Sequence, residues 1–256
     1  MRILIKLGGT LLDDAGSRAR LAAEITALAA QPGYQVVVVH GGGKQMTRFL
    51  AERGVESRFV NGLRVSSPEV IDAVLKVFAG SVNAQLVTAF RAAGSRPVGL
   101  SGLDAGLVDA EVLHPDLGMV GKPVRSDARL LEVLTRESYL PVIACVAGDA
   151  AGAVYNVNAD QMAVACAASF RADKLFFLTD VEGVRGASGN ILETLTSREA
   201  LSLIREGVAT GGMQAKLEAA ISALQTVPMV LIGPGARAGI VTLMLGESSP
   251  GTRLIY

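Results

Sequence analysis

The sequence predicts an α/β fold, a three-layer αβα sandwich with a mainly parallel central sheet. Three observations carry this. Short apolar runs alternate with segments of helical period along the whole chain. Such repeated β–α alternation builds a parallel sheet with helices on both faces. One run, Val36-Val37-Val38-Val39, is continuously apolar, as expected of a strand buried on both sides. Finally, several runs close on glycines that lead into helices: Gly8-Gly9, Gly41-Gly42-Gly43 and, at a helix start, Gly211-Gly212. Strand, glycine turn and helix start together present bare backbone N–H groups to an anion at the carboxyl edge of a sheet.

In order, Ile3 to Leu7 reads as the first strand and places Lys6 at its inner end. Leu21, Ile25 and Leu28 mark the first helix. The valine strand follows, then a helix with Met46, Phe49 and Leu50 on one face and Gly54 as a stop. Asn61-Gly62, between Arg58-Phe59-Val60 and Leu63-Arg64-Val65, predicts a hairpin. Ser67-Pro68 is a cap with proline at the first helical position, opening a helix that carries Val70, Val74, Val77 and Phe78. Pro97 to Leu100 is a short strand. The irregular stretch 107–124 is expected to form strands or a β-arm over the site. Leu130 to Leu134 is a short helix, and Leu140 to Val146 a buried strand. An alanine-rich helix follows Asn156-Val157-Asn158-Ala159-Asp160 and runs to about Phe170. Lys174 to Thr179 is a strand. Thr196 and Glu199 have capping-box spacing before a helix that stops at Gly207. Gly211-Gly212 opens a helix with Leu217, Ile221 and Leu224 on its apolar face and Lys216 in its first turn. Met229 to Ile232 and 251–255 close the sheet. No internal repeat or low-complexity linker divides the chain.

The 256 residues are half hydrophobic, with a mean hydropathy of +0.41, enough for one large domain or two lobes. Lys plus Arg and Asp plus Glu balance at 24 each. Nothing in that balance calls for nucleic acid or an anionic membrane. The two cysteines, Cys145 and Cys166, each sit in an apolar stretch and read as reduced core residues of a cytoplasmic protein. Two cysteines and two histidines make no metal-ligand pattern. The apolar run before Lys6 is too short for a signal peptide or a membrane span.

The glycine turns distinguish among chemistries. Neither Gly8-Gly9 nor Gly41-Gly42-Gly43 has the G-x-G-x-x-G spacing of a dinucleotide fold, and Gly43-Lys44 lacks the upstream glycine and the Ser/Thr of a P-loop. His40-Gly41-Gly42-Gly43 could build a hydrolase oxyanion hole. However, Gly99-Leu100-Ser101-Gly102-Leu103 misses the nucleophile elbow at its last position, and only His114 follows it. A non-catalytic small-molecule binding module stays open. Glycine turns flanked by Lys6, Lys216 and Asp160 favour phosphoryl transfer, which needs positioned positive charge more than covalent help. A carboxylate acceptor is already ionised at pH 7 (a free Glu titrates near ~4.3), so no histidine base is required.

Several stretches together resemble the amino acid kinase family, in particular its members that phosphorylate N-acetyl-L-glutamate. These are Lys6-Leu7-Gly8-Gly9, His40-Gly41-Gly42-Gly43, Asn61-Gly62-Leu63-Arg64-Val65, Asn156-Val157-Asn158-Ala159-Asp160-Gln161, Leu178-Thr179-Asp180-Val181-Glu182-Gly183-Val184, and Gly211-Gly212-Met213 with Lys216. The resemblance covers nearly the whole chain, with the motifs in the family's order. It implies transfer of the γ-phosphoryl of ATP to the acceptor's side-chain carboxylate, the second step of arginine biosynthesis, with Mg2+ carried on the ATP phosphates. Lys6 and Lys216 match the lysines that stabilise the phosphoryl group, and Asp160 the aspartate that holds them. Gly9, Gly42 and Gly43 match glycines facing phosphates and acceptor, Arg64 the arginine on the acceptor α-carboxylate, and Asn156 an acceptor ligand. Asp180, Val181, Glu182, Gly183, Val184 and Arg185 match the nucleotide side, as do Val208, Ala209, Thr210, Gly212 and Met213. The resemblance further implies a single 1–256 domain with an acceptor-binding lobe, about 1–172, and an ATP-binding lobe, about 173–256.

Two positions depart from the family pattern: Leu103 stands where many members have lysine, and Lys44 where a small or apolar residue is usual. Ser101-Gly102-Leu103-Asp104 also resembles relatives that act on carrier-protein-linked aminoadipate, and N-succinylglutamate is an alternative acceptor. Arginine-inhibited members carry a helix before the first strand. Here Met1-Arg2 leads directly into that strand, so the expectation is a homodimer, paired through the helix of Val70 to Phe78 and not inhibited by arginine.

Overall fold

The computed structural model describes residues 1–60, 62–246 and 249–256; Asn61, half of the expected hairpin turn, lies outside them. The chain begins β1 (Arg2–Leu7), α1 (Ala15–Ala29), β2 (Gln35–His40), α2 (Gly43–Ala51) and the antiparallel pair β3 (Phe59–Val60) and β4 (Leu63–Arg64). Next comes α3 (Pro68–Ala92), continuous over 25 residues with a wider, π-type winding at Leu75–Val82. Ser67 caps it by accepting from the Val70 N–H at 3.3 Å. β5 (Pro97–Ser101), β6 (Val108–Val112), β7 (Val120–Ser126), α4 (Arg129–Arg136), β8 (Leu140–Ala144), β9 (Val146–Gly148) and β10 (Val154–Val157) follow. The last third holds α5 (Ala159–Phe170), β11 (Lys174–Thr179), β12 (Thr194–Thr196), α6 (Ser197–Arg205), α7 (Gly211–Ala223), β13 (Met229–Pro234), α8 (Ile240–Leu243) and β14 (Thr252–Ile255).

Eight strands form the main sheet in the order β12-β14-β13-β11-β1-β2-β8-β5. All neighbours are parallel except β13 and β14, so the sheet is mainly parallel as expected. β1 and β2 are fully buried from Ile3 and Val36 onward. Their apolar runs reflect cover on both faces. α1 packs with α3 and α8, while α4 packs on α5, α5 on α7 and α7 on α6, so two helical layers enclose the sheet. The capping box on α6 is complete: Thr196 and Glu199 each satisfy the other's backbone N–H. By length and composition α3 could cross a membrane, but half of its most apolar window is buried against this chain.

One expectation needs correction, and one stated as an alternative is resolved. Leu140 to Val146 is not one strand. The chain leaves the main sheet at Cys145, whose carbonyl accepts from the Val157 N–H at 3.1 Å, and β9 joins β10, β7 and β6 in a small closed barrel. Both halves are buried, so the apolar run carries no mark of the switch. The stretch 107–124 supplies β6 and most of β7, as strands of that barrel and not as a free arm.

Candidate active site

Three parallel strands end side by side at one edge of the sheet. β1 carries Lys6 one residue before its end, flanked in register by Val39 of β2 and Phe177 of β11. β2 ends in His40 and runs through Gly41 and Gly42 into α2, while β11 ends at Thr179-Asp180. This is the edge where open α/β sheets hold ligands. A cavity of about 570 Å³ opens there.

At its floor lies a buried triad. Asp160 Oδ1 is 2.8 Å from Lys6 Nζ, and Asp160 Oδ2 accepts from Lys216 Nζ at 2.8 Å. Lys6, Lys216 and Asp160 are only 7%, 7% and 6% exposed, yet all three line the cavity. Each is delivered by a different element: Lys6 by β1, Asp160 by the second position of α5 and Lys216 by α7. Asn158 starts α5, its Oδ1 accepting from the Asp160 and Gln161 N–H groups at 2.8 and 3.3 Å. The helix N-terminus further favours the carboxylate. Burial pushes the Asp160 carboxyl up, but the charges of Lys6 and Lys216 outweigh it and hold the group at about 2. For Lys216 burial dominates; with the neighbouring Lys6 charge it lowers the ammonium pKa, against the opposing pull of Asp160. The Lys216 Nζ also lies 5.5 Å from the Phe177 ring centroid. Lys216 was expected in the first turn of its helix. It is the sixth residue of α7, and that extra turn carries it down to the sheet.

The glycine turns form the wall above the triad. A Cβ on Gly9 would stand 3.2 Å from the Gly43 backbone nitrogen, so the β1 turn and the start of α2 approach closely enough that any side chain on Gly9 would crowd that backbone. Gly43 is open to the cavity, whereas Gly42 is packed behind it, where a Cβ would meet the Phe78 ring at 2.9 Å. Whatever Gly42 offers a ligand is therefore backbone. His40 is fully buried: its Nδ1 meets the Gly41 carbonyl at 2.8 Å and its Nε2 meets Asn83 Nδ2 at 2.9 Å. Burial drops its pKa to about 4, so the ring is a neutral structural strut.

On the far side of α2, Arg64 lines the cavity but is 8% exposed. Its guanidinium donates to Thr47 Oγ1 at 2.7 Å, to the Gly43 carbonyl at 3.3 Å and to Ser57, and stacks on Phe59 at 4.6 Å. None of these partners is charged, so its full positive charge faces the cavity. Asn156 lies one layer back, its Nδ2 donating to Ser66 Oγ at 3.1 Å, and does not line this cavity.

Of the residues assigned to the nucleotide side, Asp180, Val181, Gly212 and Met213 line the cavity. Glu182, Gly183, Val184 and Arg185 continue beyond it in a turn packed on β14, where the Val184 N–H donates to Thr252 Oγ1 at 2.8 Å. The Val184 side chain is wholly buried. Val208 and Ala209 both donate their N–H to the Leu203 carbonyl at 3.0 Å, closing α6, and Thr210 starts α7. Sequence reading missed Thr10, Lys44, Thr47, Phe59, Asn158 and Thr179 as cavity-lining residues. Leu103 lies against Gly148 away from the cavity. Asp104 closes a turn by accepting from the Ser101 N–H and hydroxyl at 2.6 and 2.8 Å. Among the described residues, no three His, Cys, Asp or Glu side chains group to hold a metal ion.

Residues 1–233 match the model of the amino acid kinase family. An acetylglutamate kinase of Solibacter usitatus is 57% identical over 256 residues, covering 100% of this chain and 99% of the relative. One from Acidobacterium capsulatum is 44% identical, covering 94% of each. Among solved structures, N-acetylglutamate synthase from Neisseria gonorrhoeae, complexed with coenzyme A and N-acetyl-glutamate, superposes with a TM-score of 0.87 at 26% identity; the match covers 100% of this chain and 59% of that one. Carbamate kinase from Giardia lamblia bound to AMP-PNP shares the fold, with a TM-score of 0.72 at 20% identity over 99% of this chain and 98% of that one.

Proposed function

The chain belongs to the amino acid kinase family, and from that premise we propose that it phosphorylates the side-chain carboxylate of N-acetyl-L-glutamate with ATP, the second step of arginine biosynthesis. The single observation that supports this best is the buried Lys6–Asp160–Lys216 triad at the floor of a cavity walled by bare glycine backbone. It carries one net positive charge, held rigid and partly dry. A group of this kind stabilises the negative oxygens of a phosphoryl group in transit without itself forming a bond.

The acceptor α-carboxylate pairs with Arg64, whose fork suits bidentate contact. Its side-chain carboxylate then reaches the N-terminus of α2 and the Gly9 turn, and Asn156 orders the layer behind. An oxygen of that carboxylate attacks the γ-phosphorus. The new O–P bond forms as the bond to the β-γ bridging oxygen breaks, and ADP leaves. Lys6 and Lys216 follow the charge from the transferring oxygens to the leaving ones, and Asp160 fixes both ammonium groups. No proton moves, so the neutral, buried His40 has no base to provide. Mg2+ arrives on the ATP phosphates and neutralises part of their charge. Asp180 to Arg185, Val208 to Thr210, Gly212 and Met213 form the nucleotide side. The chain divides functionally into an acceptor lobe, about 1–172, and an ATP lobe, about 173–256.

ADP release tests the acceptor class. N-acetyl-L-glutamate with Mg-ATP is expected to give turnover, and aspartate, carbamate, UMP and free aminoadipate little or none. Turnover with one of those four and none with N-acetyl-L-glutamate would overturn the reading. We place the enzyme in the cytoplasm, in keeping with two buried free thiols, as a homodimer. Two features support the dimer: the outward face of α3, which exposes Leu75, and the edge position of β5 with its unpaired backbone groups. Light scattering should give a mass near twice 26.5 kDa; a monomeric mass would remove the dimer and leave the chemistry untouched.

A further inference from the structure

Lys44 stands at an electrostatically unfavourable place. It is the second residue of α2, in a first turn that holds no acidic side chain, where the helix N-terminus already contributes positive charge. It is exposed, it lines the cavity, and among the described residues it has no hydrogen-bond or ion-pair partner. The charges around it make matters worse. Arg64 bonds the carbonyl of the adjacent Gly43, and Lys6 and Lys216 lie at the cavity floor. Of the two carboxylates lining the cavity, Asp160 is taken by both buried lysines, and the exposed Asp180 accepts from the Thr179 hydroxyl. Among the described residues, four cations and two carboxylates thus line one cavity, and the cation on the helix N-terminus costs folding stability unless an anion binds.

The backbone of the adjacent Gly43 runs close to the Gly9 turn: a Cβ placed on Gly9 would stand 3.2 Å from the Gly43 nitrogen. That puts the start of α2 against the β1 turn beside Lys6, the point where the phosphoryl group passes from nucleotide to acceptor. We propose that Lys44 is a third lysine on the phosphoryl group in transit: a catalytic residue that closes over the γ-phosphate from the solvent side, opposite Lys6 and Lys216. This rests on the carboxylate-kinase reading above. The acceptor α-carboxylate is left to Arg64, so Lys44 acts on turnover and not on acceptor affinity.

K44M and K44R separate this from a solvated surface lysine. In K44M, turnover with Mg-ATP and N-acetyl-L-glutamate should fall about 10- to 100-fold, less than the ~10²–10³ for a preorganised buried donor, with acceptor KM within about twofold. K44R should recover most of the rate. Without ligand, K44M should melt about 1–3 °C higher than the parent chain, because an unfavourable charge has left the helix start. The rise in melting temperature that Mg-ATP produces should shrink. The melts need no turnover, so they stand even if another acceptor replaces N-acetyl-L-glutamate. Unchanged turnover in K44M, or an effect confined to acceptor KM, would overturn the assignment. So would a lower ligand-free melting temperature in K44M.

Discussion

Lys216→Ala is expected to lower turnover about 10²–10³-fold while acceptor KM stays within about twofold. Removing one preorganised donor of developing charge has that size elsewhere. An interaction made only in the transition state lowers kcat and kcat/KM together. Lys216 fits that pattern because its ammonium is buried, held at 2.8 Å on Asp160 and open to the cavity, while Arg64 sits apart on β4, bonded to Thr47 of α2. Arg64→Ala should do the converse, raising acceptor KM with a smaller change in kcat. Steady-state kinetics on both variants checks the pair. Near-normal turnover in Lys216→Ala would remove Lys216 from the chemistry.

Asp160→Asn should do damage of two kinds. The variant leaves two buried lysines with no compensating charge, and breaking a buried ion pair in this way typically costs about 3–5 kcal/mol. Turnover should also fall by at least ~10²-fold, since neither ammonium is held in place. The pH dependence gives a signature that a packing defect lacks. The folded Asp160 titrates at about 2, below the ordinary 3.8. Its stabilising contribution is therefore complete above pH 3.8 and is lost as pH falls through the folded value. Between about pH 4 and 2 the parent chain should lose stability more steeply than Asp160→Asn. Denaturant melts at several pH values read this directly, and parallel curves for the two proteins would contradict the pairing.

The triad was legible in part. Lys6 interrupts the otherwise apolar run Ile3 to Leu7, which singles it out, and Asp160 lies two residues after the asparagine that caps α5. Lys216 carried a weaker mark. It shares a helical face with Ala219, Ala220 and Ala223, all buried, so its period alone could have placed it inside and one turn beyond the helix start. The main sheet was readable because its central strands are short apolar runs covered on both faces, and two of them, β1 and β2, run out into glycines. The small barrel was not, because β8 and β9 form one apolar run and hydrophobicity does not say which sheet a buried strand joins. Nor could spacing reveal that Thr47 and Ser57 hold Arg64 or that Ser66 holds Asn156. Those contacts depend on how α2 and the hairpin pack, and serine and threonine are unremarkable in any loop. The resemblance of motifs named residues on the nucleotide side, but not that Val208 and Ala209 spend their N–H groups on the Leu203 carbonyl.

Hydroxylamine trapping shows whether this cavity moves a phosphoryl group onto a carboxylate. With Mg-ATP, N-acetyl-L-glutamate and hydroxylamine, the parent chain should form a hydroxamate in step with ADP, because an acyl phosphate is the only product of this transfer that hydroxylamine captures. Lys216→Ala should lose both signals together. ADP release without hydroxamate would mean that water, and not the carboxylate, takes the phosphoryl group, and would contradict the account.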